Sequence, residues 1–282
     1  YEICACLVGS EMCIRDSGSQ RWISIGPFSL QPSELAKIGI ILFLAAYISS
    51  KSREMRQWKK MVIPFLFAIP IIVIVGIENL STCIILLAIS FIMIFVATPL
   101  LVPFVVIGLI GVAGAGGLLL TQGYRMERIT VWLDPAASEK GHQTIQGLYA
   151  IGSGGLFGKG LGQSMQKLGF LPEANNDMIF SVICEELGLF GALCVLALFF
   201  ALIWRFMVIA VNAPDLYGSM IVVGVIAHIG IQVFINIAVA TNTIPNTGIP
   251  LPFISYGGSS LVFMLLEMGL VLSVSRYINV KK

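Results

Sequence analysis

Seven apolar runs, most of them long enough to cross a hydrocarbon core, dominate the sequence and leave it few ways to fold. They are approximately Leu35 to Ser49, Met61 to Ile77, Leu80 to Ala97, Leu100 to Thr121, Met178 to Ala210, Met220 to Ala240 and Pro252 to Val274. A helix crossing a core of ~30 Å needs about 20 mostly apolar residues, fewer where polar flanks snorkel. The first run is marginal without its polar beginning, and the fifth is long enough to project beyond one face. In lipid every backbone polar group needs a partner within the protein, so the expected fold is all-α, a polytopic integral membrane helix bundle. Composition agrees: 57% of residues are hydrophobic and 11% charged, against roughly 25% charged in soluble domains, and mean hydropathy is +0.93.

The charges are sparse and balanced, 17 Lys+Arg against 15 Asp+Glu for a net +2. No Lys/Arg-rich stripe with interleaved aromatics occurs, which excludes a nucleic-acid surface. Lys and Arg in short loops favour the cytoplasmic side. Lys51, Arg53, Arg56, Lys59 and Lys60 follow the first run, Arg205 belongs with the end of the fifth, and Arg276, Lys281 and Lys282 follow the seventh. Alternation puts all of them on one side, while the opposite loops near Glu78 and at Thr241 to Tyr256 carry no Lys or Arg. The C-terminus is therefore expected in the cytoplasm and the long polar segment 122–177 outside it. Seven crossings would leave the N-terminus outside without a signal to carry it there, a conflict resolved if the chain is truncated and an odd number of helices precedes it.

Residues 1–17 read as a non-native segment, since Val8 to Ser17 looks like a translated sequencing adapter. They hold Cys4, Cys6 and Cys13; Cys83, Cys184 and Cys194 sit singly in apolar runs, so neither a disulfide framework nor a metal site is expected. Residues 18–282 form one membrane domain, with no repeat of 20 to 50 residues.

The polar residues within this apolar chain are the candidates for chemistry. Glycines 152, 154, 155, 158, 160 and 162 crowd around Lys159, but neither the Walker A nor the GxGxxG spacing is met. Repeated turning of the backbone accounts for them, with close approach to a bulky ligand as the alternative. Glu34 and Lys37, three apart at the start of the first run, share a helix face. They read either as a capping residue and a snorkelling lysine or as a site for an anion such as lipid phosphate. A lysine in the membrane costs about 2.5 to 3.5 kcal/mol at a helix centre, so a partner is expected. Asn175, Asn176 and Asp177 precede an apolar helix and read as an N-cap, a role compatible with Asp177 serving as a general base. The helix dipole would weaken that base, and desolvation would have to act against it. Glu185 and Glu186 are intramembrane carboxylates, structural partners inside the bundle or cavity groups. His228, Gln232 and Asn236 recur every four residues, as interhelical glue would. Pro245, Pro250 and Pro252 with Ser255 to Ser260 break the backbone where the last helix begins, which is tolerated only against protein or a wet cavity.

These polar groups fall into a recognisable order. Gly18-Ser19-Gln20-Arg21-Trp22, Gln31-Pro32-Ser33-Glu34-Leu35-Ala36-Lys37, Gly169-Phe170-Leu171-Pro172-Glu173-Ala174-Asn175-Asn176-Asp177, Glu185-Glu186-Leu187-Gly188 and Gly248-Ile249-Pro250-Leu251-Pro252-Phe253-Ile254-Ser255-Tyr256-Gly257-Gly258-Ser259 together resemble the SEDS family of shape, elongation, division and sporulation proteins. Leu161-Gly162-Gln163-Ser164 and the Gly248 to Ile254 string look more like the division-type FtsW branch, sporulation relatives included, than the RodA branch. The resemblance implies helices four to ten of a ten-helix fold in the bacterial cytoplasmic membrane. One departure stands out: Glu78-Asn79-Leu80 replaces a common Pro-Asp-Leu, removing a carboxylate at Asn79 and offering one at Glu78.

What the resemblance implies is a peptidoglycan glycosyltransferase that polymerises lipid II beside a class B penicillin-binding protein and other divisome or elongation proteins. In that scheme Asp177 is the base. Arg21 and Lys37, with Arg125 or Arg128, hold the leaving pyrophosphate, Glu34 orients Lys37, and Ser255, Gly257 and Gly258 contact substrate. Gln31, Glu78, Asn79, Glu185 and Glu186 are structural or cavity residues. No cofactor is identified, and no pattern decides whether a divalent cation assists. The rival is a flippase for lipid-linked precursors, which should need Glu185 and Glu186 more than Asp177.

Overall fold

The computed structural model describes residues 23–25, 28–52, 55, 57–98, 123–137 and 141–278. Strands β1 (Ile23–Ile25) and β2 (Phe28–Leu30) form a short antiparallel hairpin. The helices that follow are α1 (Pro32–Ser50), α2 (Trp58–Glu78), α3 (Leu80–Ala97), α4 (Gly123–Leu133), α5 (His142–Gly154), α6 (Ile179–Asn212), α7 (Leu216–Ala240) and α8 (Gly258–Arg276). Six of them, α1, α2, α3, α6, α7 and α8, are long and apolar enough to span a membrane, which makes the chain a multi-pass helix bundle. The expected crossing from Leu100 to Thr121 lies outside the described residues.

Local signals explain two of the boundaries at the start of the bundle. Pro32 opens α1, where its missing N–H would have had no helical partner and its fixed φ suits the first turn. Asn79 ends α2 and caps α3, its side-chain oxygen accepting from the amides of Ser81 (3.1 Å) and Thr82 (3.3 Å). Asn serves a cap as well as Asp does, so the substitution noted in the sequence keeps this turn intact.

Helix α7 is the centre of the bundle. One side packs with α1 and α3, which α2 backs, around Leu44, Leu86 and Ile89; the other packs with α6 and α8 around Val225, Ile229 and Met264. Gly224 lets α1 and α3 close on α7, since a Cβ there would stand 2.6 Å from Ile41 and 3.0 Å from Met93. Outward faces stay apolar, with Leu198, Phe200 and Val211 exposed on α6, as a lipid-facing surface requires.

At 34 residues, α6 is about 50 Å long by the usual rise, more than a bilayer core demands. Gly188 (φ 67°, ψ −166°) divides it. The segment 122–177, read from sequence as a loop, holds α4, α5 and two 3-10 turns, Pro135–Ala137 and Gln166–Leu168.

Candidate active-site cleft

The break at Gly188 sets free hydrogen-bonding groups on both sides of it, and the glycine-rich loop satisfies them. Lys159 and Gly160 donate their amides to the carbonyls of Glu185 and Glu186, each at 2.9 Å. In return Leu189 and Phe190 donate to the carbonyls of Gly155 (2.9 Å) and Leu156 (3.1 Å). Two backbones meet here too closely for side chains: a Cβ on Gly158 would lie 2.1 Å from the Glu186 carbonyl oxygen, and one on Gly188 2.3 Å from the Gly158 nitrogen. Both have positive φ. The glycines thus serve backbone turning and helix contact, the first of the two readings.

Glu185 and Glu186 complete this joint. Glu185 is fully buried and accepts from Lys159 Nζ (2.6 Å), Ser164 Oγ (2.5 Å) and the amides of Met165 and Gln166 (both 3.3 Å). Glu186 accepts from Lys167 Nζ (2.5 Å) and the amides of Gly162 (3.0 Å) and Ser164 (3.4 Å). Their carboxylates are saturated with donors and hold the loop to the helix.

Asp177 has the opposite surroundings. It lies two residues before α6 starts, and the N-cap of α6 is Met178, with no side-chain cap. The capping role expected for Asn175 to Asp177 is therefore not the one the fold uses: the chain turns through Glu173, whose φ of 54° sends residues 174–178 round a tight loop before the helix begins. Asp177 is buried, its Oδ1 accepts no hydrogen bond, and it lines a cleft of about 400 Å³. Burial pushes its carboxyl from the ordinary 3.8 up to about 6; its own amide and the positive charge of Arg128 pull it down, and the nearby Glu173 charge pushes it up. Gln143 favours the charged form weakly, its amide engaging Pro172 and Asn246 instead. Desolvation thus supplies the opposing push that the sequence argument required.

The opposite wall is the Pro250 to Gly257 segment, held to the Asp177 loop by a ladder of bonds. Tyr256 donates its amide to the Asn175 carbonyl (2.8 Å), and the Ser255 hydroxyl donates to the Asn176 carbonyl (2.6 Å) while accepting from the Leu251 amide (2.7 Å). Phe253, like Glu173, has a left-handed backbone (φ 63°) and lines the cleft. Gly248, with a φ of 64°, also lines the cleft, and a Cβ there would make only ordinary contact with Asp177 Oδ2, at 3.8 Å. A more open apolar slot of about 390 Å³ adjoins the cleft, sharing Ser255, Tyr256, Gly257 and Leu261 and adding Ile179, Ile254 and Gly258.

The candidates divide as follows. Gln31, Asn79, Asp177, Ser255 and Gly257 line the cleft, and Gly258 lines the apolar slot. Ser255 is committed to bracing the walls. Lys37 does not snorkel: it is 2% exposed, points into the bundle and meets Glu34 at 2.8 Å. Glu34 is the anionic partner a buried lysine needs, and it caps nothing, since the N-cap of α1 is Gln31. Arg128 donates to the Asn246 carbonyl (3.1 Å) on the loop leading to Gly248. Arg125 precedes it by one turn on α4; its side chain, that of Glu78 and all of Arg21 lie outside the described residues. Among the described residues no group of three His, Cys, Asp or Glu converges on a metal position. The sequence reading missed Glu267, buried in α8 with both oxygens 2.9 Å from His228 Nδ1. A single carboxylate inside the apolar run from Pro252 to Val274 was the available signal.

The fold is that of a multi-pass membrane helix bundle with a buried carboxylate in a cleft, and the comparisons give its family. The FtsW/RodA/SpoVE cell cycle protein family matches residues 3–280, and the chain belongs to that family. Stage V sporulation protein E of Bacillus subtilis (strain 168) is 48% identical over 267 residues, covering 93% of this chain and 72% of the relative. A probable peptidoglycan glycosyltransferase FtsW of Geobacter sp. (strain M18) is 37% identical, covering 92% and 71%. Among solved structures, a chain of a peptidoglycan synthase complex that coordinates polymerization and crosslinking superposes with a TM-score of 0.75 at 27% identity, over 98% of this chain and 80% of that one. RodA of Thermus thermophilus superposes at 0.65 with 28% identity, over 98% and 76%.

Proposed function

We propose that this chain is a peptidoglycan glycosyltransferase that polymerises lipid II, with Asp177 as general base. The observation that carries this reading is the Asp177 carboxylate, buried on the cleft wall with one oxygen free of hydrogen bonds. Asp177 takes the proton of the acceptor sugar's 4-hydroxyl as that oxygen attacks the donor's anomeric carbon. The bond to the lipid pyrophosphate breaks with inversion, and the pyrophosphate leaves as an anion. A base with a pKa near 6 is largely ionised at neutral pH yet stronger than an ordinary carboxylate. Arg128, with Arg21 and Arg125, supplies positive charge for the leaving group. Lys37 and Glu34 form a buried pair that does not line the cleft. The apolar slot beside Tyr256 suits the isoprenoid tail of a lipid-linked sugar.

The Lys/Arg distribution supports a cleft on the extracytoplasmic face and a cytoplasmic C-terminus in the bacterial inner membrane. A thiol introduced at Leu161, which is 77% exposed, should react with an impermeant label in intact cells, and one at Gln57 should not; the reverse pattern refutes the orientation. A class B penicillin-binding protein is the proposed partner, by analogy with the synthase complex. The flippase reading draws on the His228–Glu267 pair midway along α7 and α8, although such a pair between packed helices also serves as glue. The deciding experiment is polymerisation of labelled lipid II with that partner present. Asp177→Asn should lower the rate by about 10² to 10⁴, the usual effect of losing a general base. No polymerisation by the parent itself, with lipid II translocation that is lost on His228 or Glu267 substitution, would favour transport.

A further inference from the structure

Three consecutive carbonyls of the loop carrying Asp177 each accept a hydrogen bond. Tyr256 and Ser255, on the facing wall, hold those of Asn175 and Asn176. The third, on Asp177 itself, accepts from Asn236 Nδ2 at 2.8 Å, and the same nitrogen donates to the Ile249 carbonyl, also at 2.8 Å. Asn236 is 1% exposed and belongs to α7, which packs against α1, α3, α6 and α8. One amide group on the most enclosed helix thus ties both walls of the cleft together at the residue that bears the reactive carboxylate. One turn below, Gln232 donates to the Pro250 carbonyl (3.1 Å), which fixes the far wall without reaching Asp177.

We propose that Asn236 is a positioning residue for the glycosyl transfer, setting where the Asp177 carboxylate stands in the cleft and keeping it dry. The inference rests on the reading of Asp177 as the base. Asn236 touches the backbone of Asp177 and leaves its oxygens free, so it acts on reactivity through placement alone. Misplacing a reacting group by about 1 Å can lower a rate on the order of 10²-fold. Loss of both donors should also let the walls part and admit water, which lowers the pKa of the carboxyl toward that of an exposed aspartate.

The test uses Asn236→Leu, close to Asn in shape but without donors, in the full protein with its penicillin-binding partner. The expected result is a kcat lower by about 10- to 100-fold with KM nearly unchanged, and an acid limb of the pH–rate profile moved to lower pH. Asn236→Ser, which keeps a hydroxyl donor, should show the same changes at smaller size, and it carries the test if the Leu variant fails to fold. A variant that folds with the parent's kcat and acid limb overturns the proposal, even if its thermal stability falls. Asp177→Asn, assayed in parallel, separates the two failures. If it polymerises at the parent rate, the base assignment is wrong; if it is inactive while both Asn236 variants behave as the parent, only the positioning role is wrong.

Discussion

Asp177 and Glu185 lie close together on one segment, both buried, and their surroundings treat negative charge in opposite ways. Around Glu185 the protein places a lysine, a serine hydroxyl and two backbone amides within hydrogen-bonding distance. Around Asp177 it places a carboxylate neighbour, Glu173, and leaves one oxygen without a donor. A saturated carboxylate holds structure, because protonation would weaken the bonds it accepts. A carboxylate left short of donors can accept a proton from something that enters. The difference teaches that burial alone, which both share, does not mark a reactive group; the count of donors does.

The comparison breaks most sharply at Glu185. Replacing it by Ala leaves the buried Ser164 Oγ and the part-buried amides of Met165 and Gln166 without their acceptor, at about 1 to 3 kcal/mol for the buried hydroxyl and less for each amide. Glu185→Ala should therefore fail to fold or melt far below the parent in detergent, whereas Asp177→Ala should fold normally and lose activity. If Glu185→Ala kept both stability and the loop's protection from protease, the joint would be dispensable and the contrast unfounded.

Gly158 and Gly188 sharpen the same side of it. Each has positive φ and would drive a Cβ into backbone at 2.1 to 2.3 Å. Strain of this kind costs on the order of 1 to 3 kcal/mol before the clash is counted. Gly158→Ala and Gly188→Ala should each lower the melting temperature, with Gly152→Ala, where a Cβ meets open space, as the neutral control. Equal stability for all three would show that the loop and the broken helix are not in register as described.

For Asp177 the predicted effect has the opposite sign. Its folded pKa, about 6, lies above the ordinary 3.8, so the folded state disfavours the charge. The resulting penalty is absent below pH 4, grows as pH rises from about 4 to 6, and is full above that. Asp177→Asn should therefore be more stable than the parent at pH 8, by at most about 3 kcal/mol, and match it near pH 4. Equal stability at both pH values would mean that the carboxylate is better solvated than its burial implies.

Much of this was legible in the sequence because the bilayer imposes one period and one length. Apolar runs gave five of the six described spans to within about four residues, the last helix beginning only at Gly258 where the run begins at Pro252, and the excess length of the fifth run is the overhang that Gly188 bends. Asp177 was legible as a candidate through its motif, and it lines the cleft. Its freedom from capping was not: Asn-Asn-Asp before an apolar run is a strong cap signal, and only the turn at Glu173 shows that the helix begins later. Lys37 failed in the same way, because its spacing from Glu34 fits a pair at a surface as well as one inside a bundle. Pairings across the chain, such as Asn236 with Asp177, Glu267 with His228 or Lys159 with Glu185, leave no periodic trace. They depend on which helices meet.

The smallest effect concerns what holds the loop to α6, lysines or backbone amides. Lys159 and Lys167 contact Glu185 and Glu186 at 2.6 and 2.5 Å, but their side chains are 36% and 30% exposed. Although Glu185 is itself buried, the lysine end of each pair is open to solvent, where water screens the charge and ordering a long side chain opposes the contact, so each lysine contributes roughly 0 to 1 kcal/mol. Each glutamate also keeps its donors from the loop when its lysine is removed: Ser164 Oγ, Met165 N and Gln166 N for Glu185, Gly162 N and Ser164 N for Glu186. Lys159→Met and Lys167→Met should thus cost no more than about 1 kcal/mol each and spare polymerisation, well short of the loss in Glu185→Ala. The two chemical-denaturation curves, taken in the same detergent, check this. A loss comparable to that of Glu185→Ala would mean that the glutamates need their lysines to stay charged, and that Coulomb attraction, rather than the backbone donors, closes the joint.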